Sequence, residues 1–93
     1  MFRHVLLTLR ERIRTRHYHI TAHADEEMAN DDLLAVDLES VILTGEIVER
    51  QRDQETGEVK YCVHGNTLDG DAAIVVVKLG PKGKLFFVTI FLE

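Results

Sequence analysis

The sequence from Val59 to Leu92 reads VKYCVHGNTLDGDAAIVVVKLGPKGKLFFVTIFL and largely determines the fold. Apolar and polar residues alternate through three runs of this stretch, and short segments that contain glycine separate the runs. Alternation with a period of two predicts β-strands. Links of this length do not allow a crossover, so consecutive strands must be antiparallel. We place these strands at residues 59–66, 72–79 and 85–92.

A fourth strand is predicted at residues 46–52, and a turn that contains Thr56-Gly57 joins it to the next strand. Each of the last three strands has one apolar side, which we expect the helices to cover. An antiparallel sheet commonly leaves its other face open to solvent. This open face is predicted to carry the following side chains: Lys60, His64, Lys78, Phe87, Thr89 and Phe91.

The chain before the sheet is predicted to be helical. Apolar residues recur at spacings of three and four between Phe2 and Ile13, which is typical of an amphipathic helix. Thr21 is expected to cap a second helix over residues 22–29, because its hydroxyl can accept from a backbone N–H that has no helical partner.

A third helix is predicted over residues 33–44, with Asp32 as its N-cap. Gly45 follows this helix at the position where a left-handed residue often ends one. The predicted architecture is therefore α+β, with two or three N-terminal helices packed on one face of a four-stranded antiparallel sheet.

The length of 93 residues is typical of one domain. We predict a single domain over residues 1–93, helical in 1–44 and with its sheet in 46–92. Cys62 is the one cysteine, which excludes an internal disulfide and a cysteine-built zinc site. We expect Cys62 to be a small buried apolar residue.

The hydropathy pattern points to a cytoplasmic protein with no membrane contact. No apolar run approaches the roughly 18 residues that a membrane span needs. The N-terminal segment has no small-residue cleavage site, so it does not read as a signal peptide.

The net charge of −5 hides an uneven distribution. Residues 1–18 contain five arginines and one acidic residue, whereas residues 19–49 contain nine acidic residues and no Lys or Arg. Residues 50–93 contain six bases and six acids. Partners respond to local fields. Despite the negative net charge, nucleic acid could therefore bind at a basic surface. A protein partner could bind at either the basic or the acidic surface.

Three of the five histidines, His17, His19 and His23, fall between the basic and the acidic segments. A spacing of four could place His19 and His23 on one helix face as metal ligands, but His19 precedes the expected cap, so no metal site is predicted. Two interpretations of His23 stay open from the residues alone. It is either a general acid or base with neighbouring carboxylates, or a structural histidine near a helix start. No phosphate-binding loop, dinucleotide motif or nucleophile elbow is present.

Four short segments carry a resemblance to a known family. They are Tyr18-His19-Ile20-Thr21-Ala22-His23-Ala24, Gly45-Glu46-Ile47, Tyr61-Cys62-Val63-His64-Gly65 and Phe87-Val88-Thr89-Ile90-Phe91. On these segments the chain resembles the domain of unknown function 4258 family over about residues 18–92. The His-Ala element followed by the Gly-Glu-Ile element is the more specific part of this resemblance.

The resemblance implies a function. Members look like the toxins of bacterial toxin–antitoxin pairs and like the RelE-like and barnase-like small ribonucleases. It therefore implies a hydrolase, an endoribonuclease that cleaves RNA without metal or cofactor and that pairs with an antitoxin protein. His23 matches the family's histidine, and we expect His64 and Thr89 to join it in the catalytic site. The candidates for binding the RNA substrate come from the alternation of side chains along the strands and not from the family motif. They are Arg50, Arg52, Lys60 and Lys78.

A different class of function stays open beside the ribonuclease. Members of the family often have a histidine where this chain has Ile74, and a tyrosine where it has Phe91. A non-catalytic module is the alternative expectation on these grounds. Such a module would act by binding a protein, either an antitoxin or a second copy of the chain in a homodimer.

Overall fold

The computed structural model describes residues 2–93 and has an α+β architecture. Along the chain its elements are α1 (Arg3–Arg14), β1 (Tyr18–Ile20), α2 (Ala22–Asn30), α3 (Ala35–Thr44), β2 (Glu46–Arg52), β3 (Val59–Asn66), β4 (Ala72–Leu79) and β5 (Leu85–Leu92). The α+β prediction is confirmed, and the last four strands have the bounds expected from the sequence. Within the described residues, no helix is long and apolar enough to cross a membrane.

The sheet has five strands in the order β1-β5-β4-β3-β2, so the prediction of four strands was incomplete. The four long strands pair antiparallel as expected. The added strand, β1, runs parallel to β5, with Tyr18 opposite Leu85 and Ile20 opposite Phe87. Three residues are too few to show a period of two. The sheet is therefore mixed, and α2 follows directly at its β1 edge.

The three helices pack on one face of the sheet around a single hydrophobic cluster. α1 contributes Leu9 and Ile13 to it, while Val75 and Val77 of β4 lie at its centre with no exposed surface. Burial of such side chains provides the main free energy of folding. The face opposite the helices is not covered by any described element.

A β-bulge in β5 changes which side chains reach the core. Val76 lies opposite Thr89 and Val77 lies opposite Phe87, which leaves Val88 as the extra residue. The bulge resets the alternation, because two residues of β5 then face one of β4. The prediction that Phe87 lies on the open face was therefore wrong. Phe87 is fully buried in the core, and Phe86 occupies the open face instead.

A second register shift, between Ile47 and Glu49 of β2, has a similar effect. Beyond it Arg50 lies opposite Tyr61 and Arg52 lies opposite Val59. These partners belong to the helix side of β3. The two arginines are therefore on the helix side of the sheet, and not on the open face where Lys60 lies.

The helix boundaries follow their caps. The prediction for Thr21 is confirmed, since its hydroxyl oxygen accepts from the Ala24 N–H at 3.2 Å. The prediction for Asp32 was wrong, because this residue has a left-handed backbone with φ of 55°. α3 begins only after Leu34, whose N–H donates to the Asp37 carboxylate at 2.9 Å. A side chain inside the helix thus replaces the expected cap.

Gly45 ends α3 for a different reason from the one predicted. Its φ of −98° is ordinary extended backbone, so no left-handed conformation is needed. A Cβ atom there would lie 2.5 Å from the Val41 carbonyl oxygen and 2.6 Å from that of His64. Glycine is required because the end of α3 and strand β3 approach each other this closely.

Candidate functional site

His23 lies beside the sheet edge formed by β5. It is in the first turn of α2, and its Nε2 is 3.4 Å from Oε1 of Glu27, one turn further along the helix. The same carboxylate oxygen accepts the hydroxyl of Thr89 and, at 3.0 Å, the backbone N–H of Ile90. Two of the predicted site residues, His23 and Thr89, are therefore brought together through Glu27.

The position of this cluster follows from local structure. Residues four apart on a helix share a face, so His23 and Glu27 both face β5. The hydroxyl of Thr21 donates to the carbonyl of Phe87 at 2.9 Å, which ties the start of α2 to the strand. β1 covers only the first part of β5, so Glu27 satisfies an edge N–H that would otherwise have no partner in the sheet.

This arrangement is suited to proton transfer. A carboxylate that contacts an imidazole fixes the ring and stabilises its protonated form. The Glu27 side chain is 27% exposed and held by three partners, whereas the His23 side chain is 67% exposed. A rigid orienting group thus supports a histidine that a substrate in solution can reach.

Glu27 was not predicted as a site residue. The sequence suggested only that neighbouring carboxylates could assist His23 and did not single out Glu27. The available signal was the spacing of four between His23 and Glu27. That spacing alone does not tell a site from an ordinary surface pair, because the contact with Thr89 depends on the tertiary structure.

A groove of about 660 Å³ lies next to this cluster, and Thr21, two residues before His23, is part of its wall. The His19 and Phe86 rings meet edge to face with centroids 5.7 Å apart. The Lys78 ammonium is 5.9 Å from the centre of the Phe86 ring and 2.9 Å from the Glu58 carboxylate. The groove therefore offers aromatic rings and a cation side by side.

The other predicted residues lie apart from His23. Lys60 is near the groove, 3.8 Å from Glu58, but His64 forms its contact with Glu93 at 3.0 Å, at the opposite end of the open face. Arg50 and Arg52 are on the helix side of the far edge strand. That strand is three strand spacings from β5, or about 14 Å. The structure does not bring His64 or these arginines to the His23 cluster.

Cys62 lies on the open face and is nearly buried, as predicted. Burial raises the pKa of its thiol, and the nearby Glu49 carboxylate adds to the increase. Since a thiolate is the nucleophilic form, this environment does not favour a reactive cysteine. In the part of the chain that the structure describes, no group of three or more His, Cys, Asp or Glu residues is arranged to hold a metal ion.

Positive charge collects at the groove end of the molecule. The turns at residues 53–58 and 80–84 form this end, together with the end of α1, where Arg12 donates to the Gly83 carbonyl at 2.5 Å. We call it the basic end. Nine of the eleven Lys and Arg residues lie in these segments or in the residues that adjoin them, beside the carboxylates of Glu11, Asp53, Glu55 and Glu58. They are Arg12, Arg14, Arg16, Arg50, Arg52, Lys60, Lys78, Lys82 and Lys84.

In a comparison with known protein families, most of the chain matches one family. The model of the family described as "Domain of unknown function (DUF4258)" matches residues 20–92. The chain belongs to the DUF4258 family. No curated protein and no solved structure matches the chain.

The DUF4258 match covers the site but not the whole structure. It begins at Ile20 and so includes His23, Glu27 and Thr89, together with most of the groove wall. The matched region leaves out α1 and its arginines. The match thus includes the residues of the histidine cluster and leaves out α1.

Proposed function

We propose that this DUF4258 protein is a toxin-like endoribonuclease, related in function to the RelE-like and barnase-like enzymes, that cleaves RNA without a metal ion. The observation that carries the proposal is the exposed His23, oriented by Glu27 and placed beside a groove at the basic end. The hydrogen bond from Thr89 to the same carboxylate fixes this orientation further.

The proposed reaction needs one activated hydroxyl. His23 takes the proton of a ribose 2′-hydroxyl, and the 2′-oxygen forms a bond to the adjacent phosphorus. The bond from phosphorus to the 5′-oxygen breaks, and that oxygen takes a proton from water. The products are a 2′,3′-cyclic phosphate and a 5′-hydroxyl end. Glu27 stabilises the imidazolium that forms on His23, and general base catalysis of this kind contributes about 10²- to 10⁴-fold in rate.

The groove supports the same proposal, because its residues are suited to binding single-stranded RNA. Single-stranded RNA binds to proteins through stacking of its bases on aromatic rings and through cations that meet its phosphates. Phe86 and His19 offer the rings, and Lys78 offers the cation. The further Lys and Arg residues of the basic end add a field that attracts a polyanion.

The decisive experiment is cleavage of a single-stranded RNA by the purified protein in the presence of a chelator. We expect cleavage by the unaltered protein and a loss of at least about 100-fold in His23→Ala. The matched control is His4→Ala, an exposed histidine of α1 far from the groove, which should keep full activity. Full cleavage by a clean His23→Ala preparation would contradict the proposal, as would activity that the chelator abolishes.

A second variant tests the role of Glu27. Glu27→Gln keeps an oxygen that accepts from Ile90 and Thr89 but removes the negative charge beside His23. We expect a loss of about tenfold in cleavage rate, smaller than that of His23→Ala. An unchanged rate would leave Glu27 with a structural role alone.

A further inference from the structure

Two exposed leucines are held side by side at the end of the molecule opposite the groove. The backbone N–H groups of Leu34 and Leu68 donate to the two oxygens of the Asp37 carboxylate, at 2.9 and 3.1 Å. Asp37 itself is 8% exposed, whereas Leu34 is 66% and Leu68 is 68% exposed. A nearly buried carboxylate thus fixes the backbone of two apolar side chains that have no cover in the described chain.

The apolar surface continues along α3. Val36 and Leu43 are seven residues apart and therefore share one helix face, about 10 Å from each other. Both are more than 40% exposed. We call these four residues, Leu34, Val36, Leu43 and Leu68, the α3 patch. Surface leucines scattered singly are ordinary, but several exposed apolar residues grouped at one end of a molecule usually mark an interaction site.

The rim of the α3 patch is acidic. The turn before Leu34 contributes Asp31 and Asp32, and the turn that contains Leu68 contributes Asp69 and Asp71, all exposed. Over residues 2–93 no ion pair involves any of these four carboxylates. The nearest base, Arg10, donates to the carbonyls of Ile42 and Gly45. The α3 patch therefore suits an apolar surface flanked by positive charge.

Helix α1 of the same chain has such a surface. Arg3, Leu7 and Arg14 follow one another at spacings of four and seven, so they share one helix face. All three are exposed, and Leu7 is 49% exposed although it is apolar. In the described chain neither arginine forms an ion pair. Glu11 also lies on this face, but its carboxylate is paired with Arg12 at 2.8 Å. The face therefore presents a leucine with a net positive charge from Arg3 and Arg14, which complements the acidic rim of the α3 patch.

We propose that the α3 patch binds helix α1 of a second copy of the chain. α1 and α3 pack against each other on the same side of the sheet, so their exposed faces point away from it together. A twofold axis can then pair each α1 with the other copy's patch, which gives a closed dimer with two equivalent contacts. Two such contacts help to reach the roughly 800 Å² per partner of a stable interface.

The dimer is independent of the proposed ribonuclease activity. Neither the α3 patch nor the α1 face includes His23 or a residue of the groove wall, although Arg14 belongs to both the α1 face and the basic end. A failure of the dimer would not affect the RNA cleavage assay, and an inactive protein could still dimerise.

Sedimentation equilibrium at micromolar concentrations tests the proposal on the intact chain. We expect a dimer at low salt, and a dissociation constant at least about tenfold higher for Leu68→Ser or Leu7→Ser. Val48→Ser is the matched control, since Val48 is 56% exposed on β2 and lies outside both surfaces; it should keep the dimer. A monomer at all concentrations for the unaltered protein would overturn the proposal.

A charge-exchange experiment tests whether helix α1 is the segment that binds the α3 patch. One variant carries Arg3→Glu and Arg14→Glu, and the other carries Asp69→Lys and Asp71→Lys. Each alone should be monomeric, because like charges meet at both contacts of its own dimer. An equimolar mixture should form a heterodimer, since opposite charges then meet at both contacts. If the mixture stays monomeric while each variant keeps its circular dichroism spectrum, the occupant is not α1 and the proposal fails.

Discussion

Position 45 requires glycine for steric reasons alone. The carbonyl oxygens of Val41 and His64 leave no room for a Cβ atom, although the backbone conformation suits any residue. We expect Gly45→Ala to lower the free energy of unfolding by about 3 kcal/mol, because α3 and β3 must move apart. Urea denaturation measures this loss.

Gly57 is the matched control for that experiment. It has a φ of 75° and no heavy atom within 4 Å of a Cβ position. Gly57→Ala should cost only about 1 kcal/mol, the usual strain of a left-handed alanine. Equal losses for the two variants would contradict the argument from crowding at Gly45.

Some residues of the candidate site could be named from the sequence and others could not. His23 and Thr89 were named from the sequence, and in the structure both contact the Glu27 carboxylate. Glu27, which joins them, was missed because its contact with Thr89 spans 62 residues of chain. Arg50 and Arg52 were named as candidates for RNA binding, and the bulge in β2 places them on the helix side of the sheet, since a single bulge reverses the parity of every later residue in a strand.

Among the elements, β1 is connected to α3 by one side chain. The hydroxyl of Tyr18 donates to the Glu39 carboxylate at 2.5 Å. Burial, followed by this hydrogen bond and the charge of Glu39, raises the pKa of Tyr18 from 10.0 to about 12. The folded protein therefore holds the neutral phenol at a pH where the unfolded chain already ionises it.

This shift makes stability depend on pH in alkaline solution. The contribution of Tyr18 is fully present below pH 10 and is lost as the pH rises towards 12. Tyr18→Phe should lower the free energy of unfolding at neutral pH by about 1 kcal/mol. The free energy of unfolding of this variant should also decline less between these two pH values. Tyr61→Phe, which removes the other tyrosine hydroxyl, should keep the decline of the unaltered protein. Urea unfolding across the alkaline range measures both variants.

The elements differ in how far they could be predicted. Strands β2 to β5 were placed well because each is long enough to show a period of two, and the glycines at 57 and 70 have the positive φ that their turns need. β1 has three residues and pairs with a strand at the other end of the chain, so no local pattern reveals it. The bulge at Val88 also leaves no recognisable pattern in the sequence, which is why Phe87 was placed on the wrong face of the sheet.

For the whole molecule, the separation of charge predicts where the proposed RNA substrate would bind. Lys82 and Lys84 lie in the turn at the basic end, next to Pro81 and Gly80 of the groove wall. We expect the double variant Lys82→Gln, Lys84→Gln to bind single-stranded RNA more weakly. The slope of log affinity against log salt should fall by about 0.7 for each phosphate contact that is lost.

Asp69→Asn with Asp71→Asn is the control of the same size at the other end of the molecule. It changes the net charge by two in the opposite direction and should leave the salt slope unchanged, because these residues make no phosphate contact in the proposed mode. Affinity can be followed by fluorescence anisotropy over a salt series. A change in slope of similar size and opposite sign in the aspartate variant would indicate that net charge, and not the basic end, governs binding.

The parallel pairing of β1 with β5 has a consequence for how the protein is made. His23 is synthesised well before Thr89, and α2 has no strand to pack against until β5 has been synthesised. The long-range pairing of such distant segments is also a slow step in folding. A nascent chain therefore carries its histidine before Thr89 and Ile90 can hold Glu27 in place, and this cluster forms only after β5 has left the ribosome. The proposed RNA cleavage would begin only after that point.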